Sequence, residues 1–281
     1  CAVGKRVMVY KLGGAEVGQD LAASHTGGMA GGDEVADVFF RTHGILRVDV
    51  LEGLFELPAL VSAQRPAARH RVAVITTTGG GAASVADRLG TLELEVVAPT
   101  DRIVANLARQ NIRISKARLT DLTLAGAKKE IYSAVLNVLL ASDHCDMVLA
   151  VVGSSAQFQP QIAIEAILEA ERGGKPLAVF CAPHAEQSLK LLADAGIAGF
   201  RTPESCADAI RAWRDWTPPV ESPPMDQATV GSAKALLGES GRLNERDACR
   251  VFAALGVPQT ASQVIATSDQ PDRIGFPVAG K

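Results

Sequence analysis

Apolar residues in this chain arrive in short runs, and the segments between them carry apolar positions at helical spacing. RVMVY at 6–10 reads as a short buried strand closed by the turn-forming LGGAEVG. Residues 33–42 have helical period, with Val35, Val38 and Phe39 on one face. ILRVDV at 45–50 predicts a strand, and LEGLFELPALVSA at 51–63 a helix. A fresh unit begins near Arg71, where RVAVITTTGGGAASVADRLG reads as strand, glycine turn and helix. Further strands are expected at 94–99, 147–153, 176–183 and 198–202, with helices at about 101–109, 128–141, 159–172, 185–195 and 204–214. Strands alternating with helices specify a parallel sheet covered on both faces. Five strands at this spacing fit an α/β fold of the flavodoxin-like, doubly wound kind over residues 71–216.

The pattern breaks at DWTPPVESPPMDQ, residues 215–227. Pro218, Pro219, Pro223 and Pro224 exclude a helix interior or a central strand there, so a linker is expected at 217–230. Beyond it, LNERDACRVFAALGVP predicts an amphipathic helix with Asn244 as N-cap and Asp247 in its first turn. Strand-like TASQVIAT (260–267) and FPVAGK follow. FPVAGK stops within a strand pattern, and the chain opens on Cys1 where a start codon would give Met. Both ends therefore look cut from a longer protein; a processed lipoprotein start is the other reading of Cys1.

Composition narrows the function classes. Hydrophobic residues make up 47% and charged residues 21% of the 281, which suits a soluble chain with a sizeable core, while aromatics are only 4%. The net charge of −3 comes with no basic stripe, so neither nucleic acid nor an anionic membrane is an expected partner. Five scattered cysteines without CxxC spacing read as free thiols in a reducing cytoplasm. No apolar run approaches membrane-spanning length.

Two glycine-rich segments could carry chemistry. His25 sits in SHTGGMAGG, flanked by small residues that would display its imidazole on an unhindered loop. A histidine so displayed can serve as nucleophile, base or ligand, and a surface histidine on a turn is the plainer alternative. TTTGGGAASVADRL at 76–89 follows a strand and opens a helix, so the amides of Gly79, Gly80, Gly81 and Ala82 are candidates for an anion cradle. It lacks the GK[ST] of a Walker motif, and a tight strand–helix turn would need the same glycines. VVGSSAQF (151–158) ends another strand, with capping by Ser154 or Ser155 the simpler account. Asp121 in LTDLT is expected in a loop before a helix, making a turn. His43, His70, His144 and His184 have no acidic or thiol neighbours at metal spacing, so no metal site is assigned.

Taken in order, these segments resemble the ADP-forming acetyl-CoA and acyl-CoA synthetases, relatives of succinyl-CoA synthetase. KLGGAEVGQDLAASHTGGMAGGDEVADVFFRTHGILRV resembles the family's phosphohistidine segment, RVAVITTTGGGAASVADRLG its next ligase domain, and LNERDACRVFAALGVP with IGFPVAGK the start of its ATP-grasp module. The resemblance implies four parts. Residues 1–70 would end one ligase domain, 71–216 form a second, 217–230 link them onward, and 231–281 begin ATP-grasp. It implies an acid–CoA ligase that uses ATP or ADP with magnesium, CoA, phosphate and a carboxylic acid, through an acyl phosphate and phosphorylated His25. It also implies that Gly79–Ala82 stabilise the phosphohistidine and that Lys281 touches nucleotide phosphates. A regulatory, nucleotide- or CoA-sensing part of a protein acetyltransferase is the alternative, and homo-oligomerisation is left open. Two departures stand out: Gly28-Met29 where the family commonly has Ala/Ser-Leu, and RLTDLT where many relatives carry NPxDLT.

Overall fold

The computed structural model describes residues 5–12, 14–15, 17–18, 32–61, 70–123, 128–220, 226–237 and 243–259. The chain divides into two compact units, Cys1–Val220 and Glu221–Lys281. The division falls inside the expected linker, whereas the expected boundary at residue 70 lies within the first unit.

The first unit opens with a two-stranded parallel sheet. It is formed by β1 (Val7–Tyr10) and β2 (Ile45–Val48), with α1 (Asp33–Thr42) between them in sequence. Helix α2 (Gly53–Val61) leads out of it. The larger sheet contains β3 (Arg71–Thr76), β4 (Glu95–Val96), β5 (Leu119–Asp121), β6 (Met147–Val152), β7 (Leu177–Cys181) and β8 (Ala198–Phe200). All its pairings are parallel, in the order β4-β3-β6-β7-β8. Helices α3 (Gly79–Thr91), α4 (Asp101–Arg109), α5 (Lys129–Leu140), α6 (Ser155–Phe158), α7 (Pro160–Leu168), α8 (Glu186–Asp194) and α9 (Pro203–Asp215) connect and cover it. This is the expected doubly wound order.

Strands β6 and β7 are buried along their whole length, as central strands of a parallel sheet must be. Alternate residues feed two separate cores. Ile75, Val148, Ala150, Val152 and Val179 face a layer built from Leu107, Tyr132, Leu136, Ile164 and Leu192. Val72, Val74, Leu149, Val151 and Phe180 face Leu57, Leu60, Val85, Leu89, Ile210 and Trp213. Leu57 and Leu60 come from α2, so the first segment of the chain shares the core of the larger sheet.

Buried polar pairs fix that union. Glu56 on α2 is 4% exposed and accepts hydrogen bonds from the Arg201 guanidinium (2.9 Å), the Arg201 amide (3.1 Å) and Ser205 Oγ (2.6 Å). Asp208 on α9 accepts from the amides of Asp49 (2.7 Å) and Val50 (3.0 Å) just past β2. Removing one member of such a buried network costs about 3–5 kcal/mol, because the other is left uncompensated.

One expectation is corrected. Asp121 ends a sixth strand instead of lying in a loop: β5 pairs with β3 over Val74–Thr76, on the same edge where β4 pairs with Arg71 and Val72. LTDLT hid this because only Thr120 of the strand is buried. The apolar face of α1 points outward, with Val35, Val38 and Phe39 at 71%, 64% and 52% exposure. The last residues of the expected linker open α10 (Gln227–Leu237), where Asp226 accepts from the amides of Ala228 and Thr229. In this second unit α10 packs on α11 (Glu245–Ala254), which Asn244 caps by accepting from the Asp247 amide, as expected. Among the described residues no helix is long and apolar enough to cross a membrane.

Candidate functional site

In an open parallel sheet, the crevice lies where neighbouring strands send their connections in opposite directions. Here β3 leads to β4 on one side while β6 leads to β7 on the other, so the crevice opens between the carboxyl ends of β3 and β6. Both sequence-selected turns, TTTGGG and VGSS, meet at this place. The Thr77 amide donates to Val151 O at 3.2 Å, and the Gly153 amide to Thr77 Oγ1 at 3.4 Å.

The glycine turn starts α3 without a side-chain cap: Thr78 is the N-cap residue, and its hydroxyl accepts no hydrogen bond from the helix. Instead Thr76 Oγ1 shapes the turn, donating to Thr78 O and accepting from the Thr78 amide, both at 2.9 Å. The Ala82 amide, counted in the expected cradle, donates to Thr78 O at 3.1 Å and closes the first helical turn. That leaves the amides of Gly79, Gly80 and Gly81 with no partner among the described residues. The glycines are not equivalent. A Cβ on Gly81 would come within 2.6 Å of Ala182 Cβ, so packing demands glycine there. A Cβ on Gly80 would meet nothing within 4 Å. A Cβ on Gly79 would lie 3.4 Å from Asp121 Oδ2, so a carboxylate borders the helix start. Asp121 Oδ1 also accepts from the Thr123 amide at 2.9 Å, the expected turn contact.

Beside the turn lies a cavity of about 420 Å³, its wall running from Thr77 and Thr78 past Gly153 and Ser154 to Tyr132 and Ala166. Ser154 makes no side-chain cap, contrary to the simpler reading of VGSS, and its helix α6 is only four residues long. Tyr132 is 4% exposed, and its hydroxyl has no hydrogen-bond partner. Burial pushes its ionisation well above the usual tyrosine range, so the hydroxyl keeps its proton. An unmet buried hydroxyl costs about 1–3 kcal/mol. Lys129 at the rim is paired with Glu165 (2.9 Å) and Glu169 (2.8 Å) of α7 and its surroundings, contacts that raise its pKa.

Sequence reasoning missed Tyr132, since a tyrosine within KEIYSAVLNVLL looks like ordinary core. No periodicity could have marked it; the signal is the orphaned hydroxyl. His25 and Lys281 lie outside the described residues. Among those described, no group of His, Cys, Asp and Glu could hold a metal.

Residues 1–61 match the family described as succinyl-CoA ligase like flavodoxin domain. The chain is 28% identical over 215 residues to the alpha subunit of acetate–CoA ligase [ADP-forming] II from Pyrococcus furiosus, covering 74% of this chain and 47% of the relative. This chain is similar to ADP-forming acetate–CoA ligases. Another relative, acetate–CoA ligase [ADP-forming] I from Archaeoglobus fulgidus, is 26% identical over 304 residues, covering 99% of this chain and 42% of the relative. The chain thus spans about half the length of these synthetases. The fold is shared with a dinucleotide-forming acetyl-coenzyme A synthetase 1 from Ca. Korarchaeum cryptofilum, solved in complex with phosphate and ADP. The TM-score is 0.61 at 24% identity, over 75% of this chain and 47% of that one.

Proposed function

We propose that this chain belongs to an acid–CoA ligase in which a phosphoryl group passes from an acyl phosphate to His25 and on to a nucleoside diphosphate. The observation that carries this reading is the row of unengaged amides at Gly79–Gly81, placed at the crevice of a ligase-type sheet. A helix N-terminus with open N–H groups favours a phosphate, each charge-assisted hydrogen bond contributing about 1.5–3 kcal/mol. The glycine-rich sequence around His25, with Gly27, Gly28, Gly31 and Gly32, suits a residue that must visit two sites. On this reading CoA, a carboxylic acid and phosphate are the other reactants, and magnesium enters with the nucleotide phosphates. Residues 231–281 begin the nucleotide-binding module, with Lys281 directed to its phosphates. The free thiols of Cys145, Cys181, Cys206 and Cys249 support a reducing, cytoplasmic setting.

The test is autophosphorylation of the full-length protein by ATP labelled on the γ-phosphate, with magnesium. The expected label is acid-labile and alkali-stable, and absent from His25→Ala. A His25→Ala protein that labels as strongly as wild type overturns the assignment.

A further inference from the structure

The fold places one carboxylate beside the open amides. Strand β5 pairs with β3 so that Asp121 stands opposite Thr76, the residue whose hydroxyl shapes the glycine turn. The Leu122 amide donates to Thr76 O at 2.9 Å, and the Thr123 amide to Asp121 Oδ1 at 2.9 Å, so both the backbone and the side chain are held there. The other oxygen, Oδ2, lies 3.4 Å from where a Cβ on Gly79 would be, and it has no hydrogen bond among the described residues. The turn with Thr123 needs only Oδ1, which asparagine would supply equally well, so that contact does not account for the charge. A carboxylate at this place opposes the very anion that the Gly79–Gly81 amides favour. Its repulsion acts more strongly on a doubly charged ligand than on a singly charged one. Asp121 is exposed, so solvent screens the effect to a few-fold.

We infer that Asp121 weakens the complex with free phosphate more than it weakens the transition states that follow, and so speeds the chemistry at the glycine turn. The inference rests on the ligase reading above. Free phosphate arrives with its negative charge concentrated. When one of its oxygens attacks the thioester, an oxygen–carbon bond forms and the carbon–sulfur bond breaks. The electron pair leaves with the CoA sulfur, which takes up the proton that hydrogen phosphate brought. Negative charge moves off the phosphate as this bond forms. In the later transfer to a histidine, a nitrogen–phosphorus bond forms while the bond from phosphorus to the acyl oxygen breaks. The phosphoryl group then passes through a loose state with its charge spread over three oxygens. The carboxylate therefore opposes the starting complex most, and only an interaction that differs between starting complex and transition state changes the rate.

The experiment uses the full-length protein, as wild type and Asp121→Asn. Calorimetry with inorganic phosphate gives the affinity. Labelled phosphate, at saturation and with the acyl-CoA thioester that wild type uses fastest, gives the single-turnover rate of His25 labelling. In Asp121→Asn phosphate is expected to bind about fivefold more tightly, and the rate at saturation to fall about twofold. The opposed signs separate this role from a structural one, since a damaged fold lowers affinity and rate together. Asparagine keeps the oxygen that accepts from the Thr123 amide, so the thermal midpoint is expected to stay near wild type. A rate that is unchanged or higher in Asp121→Asn, or phosphate that binds no more tightly, overturns the inference. Labelling of wild-type His25 by ATP needs no free phosphate. Intact labelling by ATP without the opposed shifts sinks this inference alone, and its absence sinks the broader reading.

Discussion

The two ends of the six-stranded sheet treat their polar groups in opposite ways. At the amino ends Arg71, Asp146 and Lys175 are matched. Asp146 accepts from the Arg71 amide at 2.7 Å and from its guanidinium at 3.1 Å, and that bond to Asp146 raises the Arg71 pKa. Lys175 donates to the carbonyls of Leu139, Ser142 and Cys145. At the carboxyl ends the amides of Gly79, Gly80 and Gly81 have no partner among the described residues. Open amides at a helix start are left to water or to an anion, so this end of the sheet is the one that can take a ligand. The amino ends hold the sheet together and the carboxyl ends are left for chemistry.

Substitutions can break this contrast. The largest effect is expected from Gly80→Asp, which adds a carboxylate to the open helix start where there is room for it. Labelling of His25 should fall about tenfold or more, while the thermal midpoint stays near wild type, since the unpaired amides favour an anion only if its charge is not repelled. Undiminished labelling would show that the turn holds no phosphate. Gly81 is the wrong place for this test, because its substitution collides with Ala182.

Asp146→Ala should do the reverse. It strips the partner of Arg71, and denaturant titration should register a loss of about 2 kcal/mol, the range for hydrogen bonds to charged groups. Labelling of His25 in the fraction that remains folded should not change. A labelling defect without a stability defect would erase the division of labour between the two ends.

The smallest effect concerns Asp121, the carboxylate bordering Gly79. Asp121→Asn removes a like charge from beside the amides, and phosphate should bind a few-fold more tightly, by about 1 kcal/mol at near-surface screening. Calorimetry with inorganic phosphate reads this directly. Weaker binding would mean that the carboxylate supports the phosphate site, for instance by accepting a proton from it.

The central strands were legible because runs such as MVLAVV have one physical solution, burial on both faces of a parallel sheet. Asn244 was legible because a cap is a local event, read from a few neighbouring residues. What failed was whatever depends on distant partners. Strand β5 exists because β3 offers the far half of an edge, not because of anything in LTD. The face of α1 was readable as apolar, yet its direction follows from what lies beside it. The glycine turn was found, but which amides stay open depended on Thr78 O capturing Ala82. Tyr132 was hidden altogether, since being unpaired is a property of its surroundings.

The division of one edge of β3 between β4 and β5 has a consequence for behaviour in concentrated solution. That margin of the sheet is assembled from strands of two and three residues, and the opposite margin, β8, has only three. A stranger's strand adds to a sheet by matching a long, flat row of exposed amides and carbonyls. Neither margin supplies such a row: one is interrupted between Val96 and Leu119, and the other ends at Arg201, whose amide is already given to Glu56. A sheet this rich in valine and leucine thus resists polymerising edge to edge through the brevity of its borders.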